Sequence, residues 1–182
     1  MKNLIGLGIV SNFSQDPGGG LEIRVASRND HGAYNRLIME VDTLHAREAP
    51  RYFQVPEPPG RAEDYFASFI NDPGQIVFLA VEEGQALGQI HLELQHPGDL
   101  PILVKRVVVR VTDIVVAAGH RRQGIGHALM DQAKAWARAQ GADELSLSVS
   151  AFNQGAARMY EAEGFRPIRS VMALPLDKAQ AS

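Results

Sequence analysis

The chain has 182 residues, 45% of them hydrophobic and 21% charged, with a formal net charge of −3. That length and balance suit one soluble domain with a sizeable core and exclude a fibrous or disordered chain. The absence of cysteine excludes disulfides, thiolate zinc sites and cysteine nucleophiles, and the negative charge gives no bulk attraction to nucleic acid or an anionic membrane.

Residues 4–10 are apolar after Lys2, but too few to span a bilayer, and Gly6 and Gly8 weaken them as a helix. With no small-residue cleavage pattern following, residues 1–20 read as an arm or leader ending in Pro17-Gly18-Gly19-Gly20, ahead of a domain over residues 21–176 and a short tail over 177–182. Residues 21–26 alternate as a first strand. Asn29 or Asp30 then caps a helix that turns Leu37, Ile38 and Val41 inward. Four prolines between residues 47 and 61 make a loop, followed by a short helix over 65–70. Residues 76–81 and 86–94 form a hairpin about Glu83-Gly84-Gln85, and the valine-rich stretch 102–116 is one long or broken strand. Ile125, Leu129, Ala133 and Trp136 then fall on one face of a helix closed by Gly141. Leu145, Leu147 and Val149 make a strand, 156–163 a helix ended by Gly164, and 171–174 a last strand.

The charge distribution is uneven. Residues 105–140 carry seven Lys/Arg against two Asp/Glu, a local excess of five positive charges in an acidic chain. Within them lies Arg121-Arg122-Gln123-Gly124-Ile125-Gly126, between a strand and a helix. A helix start leaves backbone N–H groups unpaired, glycines let an anion approach them, and the two arginines add donors. The pattern predicts a pyrophosphate cradle. It is not a P-loop, because His127 follows Gly126 where Lys is required. Nor is it a dinucleotide fingerprint, because Leu129 stands where the third glycine belongs. His120 and His127 have no carboxylate at ligand spacing, so no metal is expected, and no Gly-x-Ser-x-Gly elbow supports a hydrolase.

Arg121, Gly124 and Gly126, joined downstream by Asn153, Ala156, Ala157, Tyr160 and Gly164-Phe165, resemble the two signature blocks of the GNAT superfamily of acyl-CoA-dependent N-acyltransferases, in the same order and spacing. The resemblance covers residues 21–174. It implies an α/β fold with a mixed central sheet of six or seven strands, splayed at the acyl-CoA site and flanked by helices on both faces. It also implies a cytoplasmic enzyme that moves an acetyl group from acetyl-CoA to a primary amine, and strand edges that support a homodimer. The cofactor's pantetheine would run along Ile114, Val115 and Val116. Its pyrophosphate would sit on Arg121, Arg122, Gln123, Gly124, Ile125, Gly126 and His127, with Asn153, Ala156 and Tyr160 lining the site from the next helix.

By the same resemblance Tyr160 is the acid that protonates the leaving thiolate. The base is open. The positions where relatives carry an acid are Thr112 and Ser148 here, and neither is a base. Asp113 is adjacent, but alternation points it to the opposite face unless a bulge intervenes. His91, Glu93 and a water relay are the other choices. With no obvious base, a CoA-binding regulatory module without turnover is the competing reading. The loop around His45, Arg47, Glu48, Arg51, Tyr52 and Phe53 would cover the amine acceptor.

Overall fold

The computed structural model describes residues 20–57, 60–98 and 100–176, so the expected N-terminal arm, apart from Gly20, and the tail over 177–182 lie outside the described residues. In chain order the elements are β1 (Glu22–Val25), α1 (His31–Glu48), α2 (Glu63–Ile70), β2 (Gln75–Glu82), β3 (Gln85–Gln95), β4 (Val108–Val116), α3 (Ile125–Ala139), β5 (Glu144–Leu147) and α4 (Gln154–Ala162). The five strands form one sheet in sequence order. β1 to β4 are antiparallel, and β5 lies parallel to β4 across the α3 crossover. The tight β2–β3 turn places Glu83 (φ 49°) and Gly84 (φ 78°) in the left-handed region, which matches the right-handed twist of a two-residue hairpin.

Alternation along β2 divides the core in two. Val77, Leu79 and Val81 point to the face covered by Tyr34 and Leu37 of α1 and by Phe66 and Phe69 of α2. Phe78 and Ala80 point the other way, to Leu129, Met130, Ala133 and Trp136 of α3. The sheet is therefore buried on both faces, as period-two patterning with apolar residues on both sides requires. α3 begins at Gly124, whose φ of 84° suits a residue without a Cβ, and Gly141 (φ 69°) follows its end. α4 is tied to α3 by Glu163, which accepts from both His127 and Lys134. Burial raises the Glu163 pKa, but these two donors outweigh it and hold the carboxyl below its ordinary value.

Three strand expectations are corrected. The described residues form five strands, not six or seven. Residues 102–107 are not part of β4: Leu103 N–H turns back to Leu100 C=O (2.9 Å) just after Pro101, and Ile102 and Val104 are exposed. Residues 171–174 are exposed and join no strand. β-branched composition makes a strand only where a neighbouring strand takes up the backbone N–H and C=O groups; among the described residues Val107 meets one partner, Asp143, through its N–H (2.8 Å) and C=O (2.8 Å), and no strand lies beside 102–106 or 171–174.

Candidate active site

The site is built at an irregularity of β4. Its ladder with β3 pairs Asp113 with His91 but Val111 with Leu92, so Thr112 is an extra residue, a β-bulge. The bulge brings Thr112 and Asp113 to the same cleft, against the regular alternation that would have separated them. It also ends the pairing with β5, which covers Val108–Val111 of β4 and Glu144–Leu147 of β5 and stops there. Beyond Val111 the two parallel strands part. Ladder alternation, fixed by Ala117 N–H donating to Leu87 C=O (2.8 Å), turns the backbone groups of Ile114 and Val116 away from β3 and into that opening.

A cleft of about 230 Å³ lies on the α1 side, lined by Tyr34, Asp42 and His45 of α1, Arg61, His91 and Asp113 among others. Asp42 holds Arg61 through two bonds of 2.6 and 3.0 Å. At the floor, Gln75 Nε2 donates to Asp72 Oδ2 (2.9 Å), which turns Gln75 Oε1 toward His91 Nε2 (2.9 Å). An amide oxygen only accepts, so His91 carries its hydrogen on Nε2. Nδ1 then faces Asp113 Oδ2 at 3.6 Å, too long for a hydrogen bond. The His91 ring packs on Phe69 at 4.5 Å. Gln89 Nε2 reaches the other Asp113 oxygen at 3.3 Å.

Two tyrosines respond to this carboxylate. Burial first, and then the Asp113 charge, pushes Tyr34 far above its ordinary pKa and raises Tyr160 to about 12. Tyr160, on α4, packs at the edge of the α3-face core with Phe165 (5.9 Å between ring centroids). At that pKa its hydroxyl stays protonated at any physiological pH.

The cradle lies beyond β4. The first helical bond of α3 runs from Ala128 N–H to Gly124 C=O. Among the described residues, no acceptor takes the N–H groups of Gln123, Gly124, Ile125, Gly126 or His127. Arg122 (φ 66°) and Gly124 (φ 84°) are both left-handed, and a Cβ on Gly124 would meet nothing within 4 Å. A Cβ on Gly126 would instead stand 3.3 Å from Met159 Sδ, so this glycine also lets α4 approach α3. Converging free N–H groups with two arginines and an uncovered strand edge fit a pyrophosphate joined to an amide-bearing arm.

The structure thus brings Ile114, Val116, Arg121, Arg122, Gln123, Gly124, Ile125, Gly126 and His127 to one side of the opening. Val115 turns its side chain into the α1-face core. Asn153 and Ala156 meet each other: Asn153 Oδ1 caps α4 by accepting from Ala156 N–H (3.1 Å), which leaves Nδ2 as the donor. Glu93 does not line the cleft and accepts from Gln95 (2.9 Å). Ser148 is exposed beyond the end of β5.

Sequence reasoning missed Glu40, Gln75 and Phe152. Glu40 on α1 accepts from Ala118 N–H (2.9 Å) and Arg121 Nη2 (3.2 Å), while Arg121 Nε donates to Val116 C=O (3.0 Å). The cradle arginine is therefore held by the strand edge and by the cleft helix together. Phe152 packs edge-on against His45, which also meets Phe53, so an aromatic chain joins the cleft loop to the segment before Asn153. These contacts span 78 or more residues in Glu40 and about a hundred in His45, and no local pattern signals them.

Comparison with known proteins agrees with this geometry. The model of the acetyltransferase (GNAT) family matches residues 40–165. No curated protein matches the chain by sequence. Among solved structures, a mutant of the BH1408 protein from Bacillus halodurans is similar at 26% identity and a TM-score of 0.81, covering 85% of this chain and 98% of that one. An acetyltransferase from Trypanosoma brucei is similar in fold at 23% identity and a TM-score of 0.63, over 86% of this chain and 100% of that one. The aminoglycoside N-acetyltransferase AAC(6')-Iy, solved with a CoA-containing bisubstrate analogue, is similar in fold at 18% identity and 0.68, over 87% and 99%. With the family model spanning both signature blocks and most of the domain, the chain belongs to the acetyltransferase (GNAT) family.

Proposed function

We propose that the protein is an acetyl-CoA-dependent N-acetyltransferase acting on a primary amine that enters the Asp113 cleft. The observation that carries this reading is the bulge at Thr112, which brings a carboxylate to the cleft opposite His91 at the point where β4 parts from β5. Acetyl-CoA supplies the activated carbonyl: the new C–N bond forms as the C–S bond breaks, giving an N-acetylated amine and the CoA thiol. Gln123 to His127 and the two arginines hold the pyrophosphate, and Ile114 and Val116 offer backbone partners to the pantetheine amides.

The residues around the reacting atoms move two protons. An amine attacks only with its lone pair free, so a proton must leave the ammonium first. Asp113 takes it, and His91, fixed by Gln75 with Nε2 protonated, keeps Nδ1 against the carboxylate to share that proton. Tyr160 gives a proton to the departing sulfur and is restored by the second proton that the nitrogen sheds on becoming an amide. Its raised pKa keeps the hydroxyl protonated, so that a proton is in place as the C–S bond breaks. The free amine pKa and the buried carboxylate together favour acceptors that arrive as cations. The presence of this acid–base set favours turnover over a silent CoA-binding module.

Calorimetric titration with acetyl-CoA, with ATP and NAD as controls, tests the cradle. Selective acetyl-CoA binding that is lost when Gly124 and Gly126 are replaced by bulkier residues is expected, and a preference for ATP or NAD would overturn the reading. Tyr160→Phe should lower kcat by about 10²-fold while leaving acetyl-CoA affinity nearly intact. Unchanged turnover would remove Tyr160 from the mechanism.

A further inference from the structure

The charges that line the Asp113 cleft leave one carboxylate over. Among the described lining residues the carboxylates are Asp42 and Asp113, and the one guanidinium is Arg61. Arg61 is committed to Asp42, with bonds of 2.6 and 3.0 Å to its two oxygens, the bidentate contact that guanidinium and carboxylate make best. Hydrogen bonding to Asp42 raises the Arg61 pKa, so the guanidinium stays charged. Asp113 has Gln89 and His91 as polar neighbours, and no Lys or Arg pairs with it among the described residues.

Arg61 is also gripped through its backbone. Its N–H donates to Asn35 Oδ1 (2.8 Å), and its C=O accepts from Asn35 Nδ2 (3.0 Å) and His31 Nε2 (2.7 Å). Gly60 (φ 91°) precedes it, and a Cβ there would stand 3.0 Å from Asn35 Cγ, so a glycine lets this segment lie against α1. Asn35 and Asp42 are two helical turns apart on α1, so one helix face fixes both the backbone and the side chain of Arg61. Burial does most to raise the Tyr34 pKa; after it Asp113 raises and Arg61 lowers it, so one hydroxyl feels both charges and the field of Arg61 reaches the surroundings of Asp113.

Three rings complete the walls. Tyr34 packs on Phe66 (4.9 Å between centroids), Phe53 on His45 (4.9 Å) and Tyr65 on Phe69 (5.5 Å). Phe53 and Tyr65 keep 43% and 56% of their surface exposed, ring area that a ligand can cover. The cleft, about 230 Å³, is smaller than the about 300–1,000 Å³ of sites that enclose drug-sized ligands.

We propose, resting on the acyl-transfer reading, that Arg61 sets the class of acceptor: with Asp42 neutralised, the cleft takes a small amine carrying one positive charge on a flat apolar body and rejects one carrying a second cation close to the first. A second ammonium meets the Arg61 charge with no carboxylate left to pair it, which is selection by an unpaired charge. Protonation of His45 or His91 adds positive charge and strengthens the exclusion.

Two amines that differ by one charge, para-methylbenzylamine and para-(aminomethyl)benzylamine, provide the test. Release of the CoA thiol from acetyl-CoA is read with a thiol reagent, to which the cysteine-free chain contributes nothing. kcat/KM for the monoamine should exceed that for the diamine by at least about tenfold. Arg61→Met frees the Asp42 carboxylate and should move that ratio toward the diamine by at least about tenfold. Adding Asp42→Asn to Arg61→Met removes the freed charge and should restore the preference for the monoamine. An ion pair that only tied the loop to α1 predicts no such rescue, since the double variant lacks the pair altogether. Each ratio is taken within one preparation, so partial loss of fold cancels from it. Butylamine, with one charge and no ring, should fall about tenfold below para-methylbenzylamine. Calorimetric titration with acetyl-CoA separates the two readings: no binding would bring down the acyl-transfer reading and this preference with it. With acetyl-CoA bound, the preference alone is overturned if neither benzylamine is acetylated, or if the diamine or butylamine is used as well as the monoamine. It is equally overturned by a ratio that Arg61→Met leaves unchanged or that Asp42→Asn fails to restore.

Discussion

The two halves of β4 are built from similar residues and end in different states. Val108, Val109 and Val111 lie in the first half, and Ile114, Val115 and Val116 in the second. The first half pairs on both edges, with β3 and with β5, and Val109 is fully buried. The second pairs with a strand on one edge only; its outer edge faces the opening, where Val116 C=O accepts from Arg121 Nε (3.0 Å). A single inserted residue, Thr112, separates them. The comparison teaches that the site is made where the ladder is left incomplete: the completed half holds the sheet together, and the interrupted half supplies strand edge, carboxylate and opening at one place.

Three experiments break or sharpen that contrast. Deleting Thr112 has the largest expected effect. With the bulge gone, the β3–β4 register becomes continuous: Asp113 stays opposite His91, but the local kink at which β4 parts from β5 is lost. Activity should fall by at least about 10³-fold, with the sheet signal in far-ultraviolet circular dichroism retained. A deletion variant that keeps near-normal turnover would mean that the opening beside β4 does not depend on the bulge. Asp113→Asn should cost about 10²–10⁴-fold in kcat, read by steady-state kinetics, while calorimetry finds acetyl-CoA affinity unchanged. A loss of acetyl-CoA affinity instead would assign Asp113 to the cofactor side. Val109→Ala in the completed half should do the reverse. It removes buried methyl groups and should lower unfolding stability by about 2 kcal/mol in urea titration, with kcat of the folded enzyme unaltered.

Long-range ties decide how far these halves act separately. Glu40 links α1 to Arg121, and Arg121 in turn holds Val116 C=O, so the helix that lines the Asp113 cleft also steadies the turn before α3. The chain Phe53–His45–Phe152 connects the cleft loop to the cap of α4 in the same manner. Both contacts tie elements of the Asp113 cleft to the segments that flank α3 and α4.

Much of the molecule was legible in the sequence because the relevant physics is local. Period 3.6 in Ile125, Leu129, Ala133 and Trp136 specified α3, and all four are buried. Glycines at positions 124, 141 and 164 marked helix ends, and each adopts a left-handed φ that other residues resist. The cradle could be read because a helix N-terminus, glycines and arginines are contiguous along the chain. The orientation of Asp113 could not, since a bulge is a property of two strands and only the β3 register reveals it. The same reason explains the misread strands at 102–107 and 171–174: their composition favours extended backbone, but a strand also needs a neighbour, which only the tertiary structure provides. Local sequence determined which segments are helix or extended and where an anion can dock. The packed sheet decided which extended segments pair, and so where the opening and the carboxylate lie.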